Sequence, residues 1–147
     1  MKTLRIRQAG FTLVELLAGV SIAGVLSSIA YPSFESQIQK ARRSDALVSM
    51  MQLQLAEERW RANSASYGSL SQIGMAATSA AGTYALEVSA PGADGYVALA
   101  SAVGLQQRDV NCRYLKLTVD ATTVTQASGP DNSVANAADA NRRCWNQ

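Results

Sequence analysis

Hydrophobic and polar positions divide the chain into stretches with different periods. From Phe11 to Tyr31 the only charged side chain is Glu15. These about 21 residues, at about 1.5 Å per residue, span roughly 31 Å, the thickness of a hydrocarbon core. From Ser33 to about Ala62 the apolar positions recur with helical spacing. At about 100° per residue, Leu47, Val48, Met50, Met51 and Leu55 share a stripe of about 160°, predicting a core-facing helix face. Leu53 and Trp60 widen that stripe on one side. Lys40, Arg42, Arg43, Glu57, Glu58 and Arg59 read mostly as the solvated face.

Asn63 to Gly82 is a loop rich in Ala, Ser and Gly, after which the period changes to two. "TYALEVSA" (Thr83–Ala90) places Tyr84, Leu86 and Val88 on one face. "GYVALAS" (Gly95–Ser101) follows across the turn signal "PGAD", predicting a hairpin. "RYLKLTVD" (Arg113–Asp120) alternates as well, and "TTVTQAS" (Thr122–Ser128) is a short fourth strand. From Gly129 onward the chain is polar and reads as loop. The fold class is therefore α+β: one long helix over about 11–62 packed on a three- to four-stranded antiparallel sheet. Gly24 and Pro32 weaken that helix, since glycine lowers propensity and proline removes a donor, so a kink is expected between them. Gly19, Ala23 and Ser27, each four apart, make a face that another helix can approach closely.

Composition sharpens this picture at three points. With 16% charged and 48% apolar residues in 147, the chain suits one modest domain plus an extra element. The net charge of +2 depends on the first residues. Without Lys2, Arg5 and Arg7 the bases are slightly outnumbered by the 11 acids, so bulk charge does not indicate a strongly basic nucleic-acid binder. The same three bases precede the apolar run, and the positive-inside rule keeps that end cytoplasmic. The bulk of the chain then lies where thiols oxidise. Cys112 and Cys144 accordingly predict one disulfide, the alternative being two separate buried thiols. Two cysteines without histidine do not complete a tetrahedral zinc site. The oxygen-rich tail (Asp131, Asn132, Asn136, Asp139, Asn141) lacks EF-hand spacing, so no metal or cofactor is expected. Without histidine, a glycine-rich phosphate loop or a nucleophile motif, the chain does not read as an enzyme. An ordinary cleaved signal peptide is the plainer account of the apolar run. "SSIAY" offers small residues, but the run leads straight into the helical segment.

A carboxylate within a membrane span reads as functional, because it costs roughly 2.5–3.5 kcal/mol at the bilayer centre. The context of Glu15 supplies a reason for it. "KTLRIRQAG FTLVELLAGVSIAGVLSSIAYP" strongly resembles the N-terminus of type IV prepilins, through Gly10, Phe11, Thr12, Leu13, Glu15 and Leu16, with Gly24 and Pro32 in register. The resemblance covers about 30 residues densely and the remainder by architecture. It implies a leader (1–10) removed by a membrane aspartyl protease that requires the small Gly10, and methylation of the new N-terminus at Phe11. It implies a transmembrane and assembly half (11–32), a globular pilin domain (33–147), and a C-terminal loop closed by the cysteines. In that family Glu15 neutralises the α-amino group of a neighbouring subunit. The alternatives are a carboxylate tolerated near the membrane surface or paired within its own helix. Gly24 and Pro32 would let the packed helix lose regular hydrogen bonding, the alternative being a static kink.

The implied function is that of a major or minor type IV pilus subunit, held in the inner membrane before assembly and extracellular afterwards. Its partners are other pilin subunits, the prepilin peptidase and the assembly platform. The functions served are twitching motility, adhesion or DNA uptake. A type II secretion pseudopilin shares the N-terminal motif, although the C-terminal disulfide loop is more pilin-like. A DNA-binding minor pilin is the other alternative. A Cys112–Cys144 bond would gather Arg113, Lys116, Arg142 and Arg143, near which Arg108 also lies, and Trp145 could stack on bases. The plainer account is surface charge balanced by Asp109, Asp120 and Asp139, with Trp145 covering the sheet.

Overall fold

A computed structural model of the protein describes residues 11–133 and 138–145, and only the helical backbone of Tyr31, Pro32 and residues 138–140. The leader, with Gly10, lies outside the described residues. The chain divides into two units between Gln37 and Ile38.

Helix α1 runs from Leu13 to Arg61 and contributes to both units. Its regular assignment continues through Gly24 and Pro32. In the first unit every described side chain from Phe11 to Ala30 is exposed. Four serines of this unit turn their hydroxyls onto the helix itself. Ser21 donates to Leu17 O and Ser27 to Ala23 O, both at 2.8 Å, Ser28 to Val25 O at 2.7 Å, and Ser36 to Ser33 O at 2.8 Å. Such back-bonding satisfies these four hydroxyls without water, which suits a helix long and apolar enough to cross a membrane.

In the second unit α1 is followed by an antiparallel meander of order β1-β2-β3-β4: β1 Tyr84–Ser89, β2 Tyr96–Ala102, β3 Tyr114–Val119 and β4 Val124–Gly129. The register pairs Tyr84 with Ala102, Tyr96 with Val119, and Tyr114 with Gly129. Each strand falls within a residue or two of its alternating stretch. The core consists of Tyr84 and Leu86 (β1), Tyr96, Ala98, Ala100 and Ala102 (β2), and Leu115, Leu117 and Val119 (β3). Ala46, Met50 and Leu53 of α1 join it, as do Cys112, Cys144 and Trp145. Gly95 immediately precedes β2, at a point where a Cβ would sit 2.1 Å from the Val119 carbonyl oxygen, so no other residue fits without moving β3.

The helix face differs from the expected stripe. Val48, Met51 and Leu55 are exposed, whereas Ala46, Ser49, Met50, Leu53 and Glu57 point inward. The buried line runs through small and polar residues that a hydrophobicity count passes over. The tail also departs from the expected loop, since Ala138–Cys144 form a short helix, α2. Asn141 of α2 donates to Gln126 O at 3.0 Å and accepts from the Ser128 hydroxyl at 2.8 Å. An asparagine considered among possible calcium ligands is thus engaged with edge strand β4.

Candidate functional site

In the first unit the residues of interest lie at the start of α1. Thr12 caps the helix: its carbonyl accepts from Leu16 N at 3.2 Å, and its Oγ1 accepts from Glu15 N at 3.3 Å. Thr12 and Glu15 therefore occupy the first and last positions of a capping-box sequence, and Glu15 lies in the first turn, where negative charge suits the helix dipole. Phe11 is 83% exposed. A Cβ added at Gly19 or Gly24 would meet nothing within 4 Å, so neither glycine is required by packing within this chain.

In the second unit the expected pair is formed. Cys112 and Cys144 are disulfide-bonded with their Cα atoms 5.4 Å apart, and both are buried. Two 3-10 turns, Gly104–Arg108 and Val110–Cys112, lead into the first cysteine, and α2 leads into the second. The bond places Arg113, just after Cys112, beside the segment carrying Arg142 and Arg143, which are both exposed. Arg113 is half-buried and held by neutral acceptors: its Nε donates to Gln107 O at 3.1 Å and its Nη1 to Pro130 O at 3.4 Å. Carbonyls orient the guanidinium without cancelling its charge. Lys116 lies three residues along β3, opposite Leu99 and Ala127 on the sheet face turned away from the core. Trp145 is placed otherwise than a base-stacking role needs. It is 8% exposed, belongs to the core, and donates its indole N–H to Ala127 O at 3.2 Å. A stacking platform requires an open ring face. Trp145 covers the sheet, as the plainer account has it.

Beneath these bases lies a buried polar network that the sequence did not announce. Arg43 of α1 grips Asp109 with Nε to Oδ2 at 2.5 Å and Nη2 to Oδ1 at 3.2 Å, and donates Nη1 to the Arg143 carbonyl at 3.2 Å. Gln106, 1% exposed, directs Nε2 at Asp109 Oδ2 (3.1 Å), the Tyr84 hydroxyl (3.1 Å) and Gln39 O (3.3 Å). The Tyr84 hydroxyl donates onward to Cys112 O at 3.2 Å. Burial, eased by the Gln106 hydrogen bond, raises Tyr84 to about 12. Asp109 is therefore not surface charge balancing the cluster, because its carboxylate faces inward to Arg43.

Two comparisons bear on the whole arrangement. A family model described as "Type IV minor pilin ComP, DNA uptake sequence receptor" matches residues 32–116, more than half of the chain. The prokaryotic N-terminal methylation motif matches residues 5–31. The chain belongs to the type IV minor pilin family. Its long N-terminal helix, four-stranded antiparallel sheet and disulfide-closed tail constitute the pilin fold. This pilin is also similar to the "Type II secretion system core protein G" of Pectobacterium carotovorum subsp. carotovorum, 33% identical over 91 residues. That match covers 62% of the pilin and 58% of the relative's length.

Proposed function

We propose that the protein is held in the inner membrane as a prepilin, its N-terminus cytoplasmic and its globular domain periplasmic. There the prepilin peptidase cuts it between Gly10 and Phe11, and Phe11 is methylated. The assembly platform then packs it with other pilin subunits into a type IV filament, where it captures DNA. The exposed apolar helix supports the filament step, because an 18-residue window of mean hydropathy 2.0 with none of its surface buried requires lipid or other helices around it. Gly19 and Gly24, free of neighbours in their own chain, suit close approach by a second helix. Glu15 would neutralise the α-amino group that cleavage creates on the adjacent subunit.

The observation that carries the DNA step is the disulfide's joining of Arg113 to the Arg142–Arg143 segment. The family's description as a DNA uptake sequence receptor supports the same step. Lys116 extends the cluster along β3, and contacts of this kind are made to phosphates and weaken with salt. Intact mass of the filament-associated protein should begin at methylated Phe11, and a product beginning after Ala30 would refute the pilin processing. Full-length processed protein in detergent should bind duplex DNA at low salt, and Arg142→Ala/Arg143→Ala should weaken it. Unchanged affinity would remove the cluster from the mechanism. Similarity to the secretion-system protein favours a pseudopilin as the second reading, distinguished by whether the chain is found in sheared pili.

A further inference from the structure

The basic cluster is held together by more than its disulfide. Helix α2 has seven residues, too few to hold a helical shape without tertiary support. Cys144 tethers its end through a chain of rotatable bonds, which by itself leaves the segment free to roll. Asn141 and Trp145 attach the segment to β4, and Arg43 attaches it to α1, with Nη1 3.2 Å from the Arg143 carbonyl. The same planar guanidinium holds both carboxylate oxygens of Asp109, at 2.5 and 3.2 Å. A fork of this kind is directional in a way that a point charge is not. Asp109 is itself constrained by Gln106 at 3.1 Å, and Gln106 reaches Tyr84 and the α1 backbone. One group therefore relates the backbone carrying Arg142 and Arg143 to the turns carrying Arg108 and Arg113.

We propose that Arg43 and Asp109 are positioning residues for DNA capture, their ion pair setting the orientation of the two basic segments on either side of the disulfide. The inference rests on the DNA reading above. The pair makes no DNA contact of its own, since its side chains are only 15% and 6% exposed and neutralise each other. Stability is a weak reason for such a pair. Desolvation consumes most of the Coulombic gain, and apolar replacements of similar volume are often neutral or stabilising. Orientation gives it a purpose that apolar packing does not supply.

The decisive variant is the double replacement Arg43→Met/Asp109→Leu, which leaves net charge unchanged and no buried charge unpaired. The assay is anisotropy of labelled duplex DNA against full-length processed protein in detergent, over a salt series. At about 0.1 M salt the double variant should lose roughly tenfold in affinity, with a salt slope shallower by about one, at an unchanged melting midpoint and with the disulfide intact. Asp109→Asn provides an opposed expectation. Removing a negative charge near the cluster would tighten binding if only bulk charge mattered, whereas loss of positioning weakens it. The proposal is overturned if the folded double variant keeps wild-type affinity and slope, or if Asp109→Asn binds more tightly. Should the double variant melt early, Asp109→Asn and Arg43→Lys, measured below their own midpoints, decide the matter. If Arg142→Ala/Arg143→Ala weakens binding while the pair variants do not, positioning alone fails. If wild type does not bind at low salt, the DNA reading fails with it.

Discussion

Replacing both cysteines by alanine should separate what holds the C-terminal segment from what holds the sheet. The Cys112–Cys144 bond spans a sequence separation of 32, which in the chain-entropy account restricts the unfolded state by roughly 4 kcal/mol. Both residues are at most 1% exposed, so losing two sulfur atoms leaves a small void worth about 1 kcal/mol more. For a unit of about 110 residues, about 4 °C per kcal/mol places the fall in melting midpoint near 15–20 °C. The larger effect is local. Without Cys144, α2 loses its covalent tether and depends on non-covalent contacts such as those of Asn141, the neighbouring Trp145 and the Arg43 hydrogen bond. Arg142 and Arg143 then lose their fixed place beside Arg113. Calorimetry of the full-length protein should show the lowered midpoint, and limited proteolysis at room temperature should cut first around 138–145. DNA affinity should fall in the same variant while the protein remains folded. A midpoint within about 3 °C of wild type, with an uncut tail, would refute the reasoning.

Gly95→Ala should destabilise by about 3 kcal/mol, because the Val119 carbonyl 2.1 Å from the new Cβ is backbone and must move. That strain falls at the Tyr96↔Val119 end of the sheet, far along β2 and β3 from Cys112, so DNA affinity measured below the midpoint should be unchanged. Glu57 and Asp45 should give opposite pH slopes. Burial raises Glu57, against the Gly68 N–H at 2.9 Å, so its contribution is present at low pH and declines as pH rises through its titration. Glu57→Gln should then be the more stable protein at neutral pH, by the order of 1 kcal/mol in urea unfolding. Burial raises Asp45 too, but hydrogen bonds from Ser79, Thr83 and Ala81 outweigh it and lower the carboxyl, so its contribution disappears as pH falls and Asp45→Asn flattens the acid limb. Tyr84, raised by burial from 10.0 to about 12, supports the fold up to its ordinary range. Roughly 2–3 kcal/mol should be lost as pH climbs from 10 through 12, and tyrosinate absorbance should show one fewer late phenol in Tyr84→Phe, Tyr96 being raised by burial as well.

What was legible in the sequence follows from the range of the forces concerned. The N-terminal motif, the strands and the pairing of two cysteines rest on local pattern or on elimination, and each is present in the matched family or in the fold. The helix face was misphased in part because apolar residues were counted, whereas Ala46, Ser49 and Glu57 join Met50 and Leu53 in the buried line. Val48, Met51 and Leu55 instead lie on the exposed side, where a hydrophobic period does not distinguish a core face from a face turned to other chains. Arg43, Asp109 and Gln106 were hidden for another reason. Arg43 and Asp109 are 66 residues apart, and nothing in the spacing of a charge predicts a partner brought to it by the fold. Trp145 was considered for base stacking because it adjoins Cys144 and its two arginines, yet it is buried against β4 with its indole N–H on Ala127 O.

The capping geometry at Thr12 sharpens the argument about Glu15. A first-turn carboxylate gains about 0.3–1 kcal/mol from the helix dipole, and the threonine cap contributes about 1 kcal/mol whatever residue occupies position 15. A charge at the bilayer centre costs roughly 2.5–3.5 kcal/mol and less toward the surface. Local helix chemistry therefore offsets the cost of Glu15 only if the carboxylate stays at the membrane edge. If it is drawn inward, a cation is needed, and the α-amino group made by cleavage before Phe11 is the candidate the proposal supplies. Glu15→Gln separates the two accounts more cleanly than alanine. Glutamine serves equally well in a capping box and is easier to insert, but it gives an ammonium nothing to neutralise. The variant should be inserted, cleaved and methylated normally, as read by intact mass, yet be depleted at least tenfold from the sheared filament fraction relative to wild type. Wild-type incorporation of Glu15→Gln would show that the carboxylate serves the start of its own helix and that another interaction draws the subunit out of the membrane.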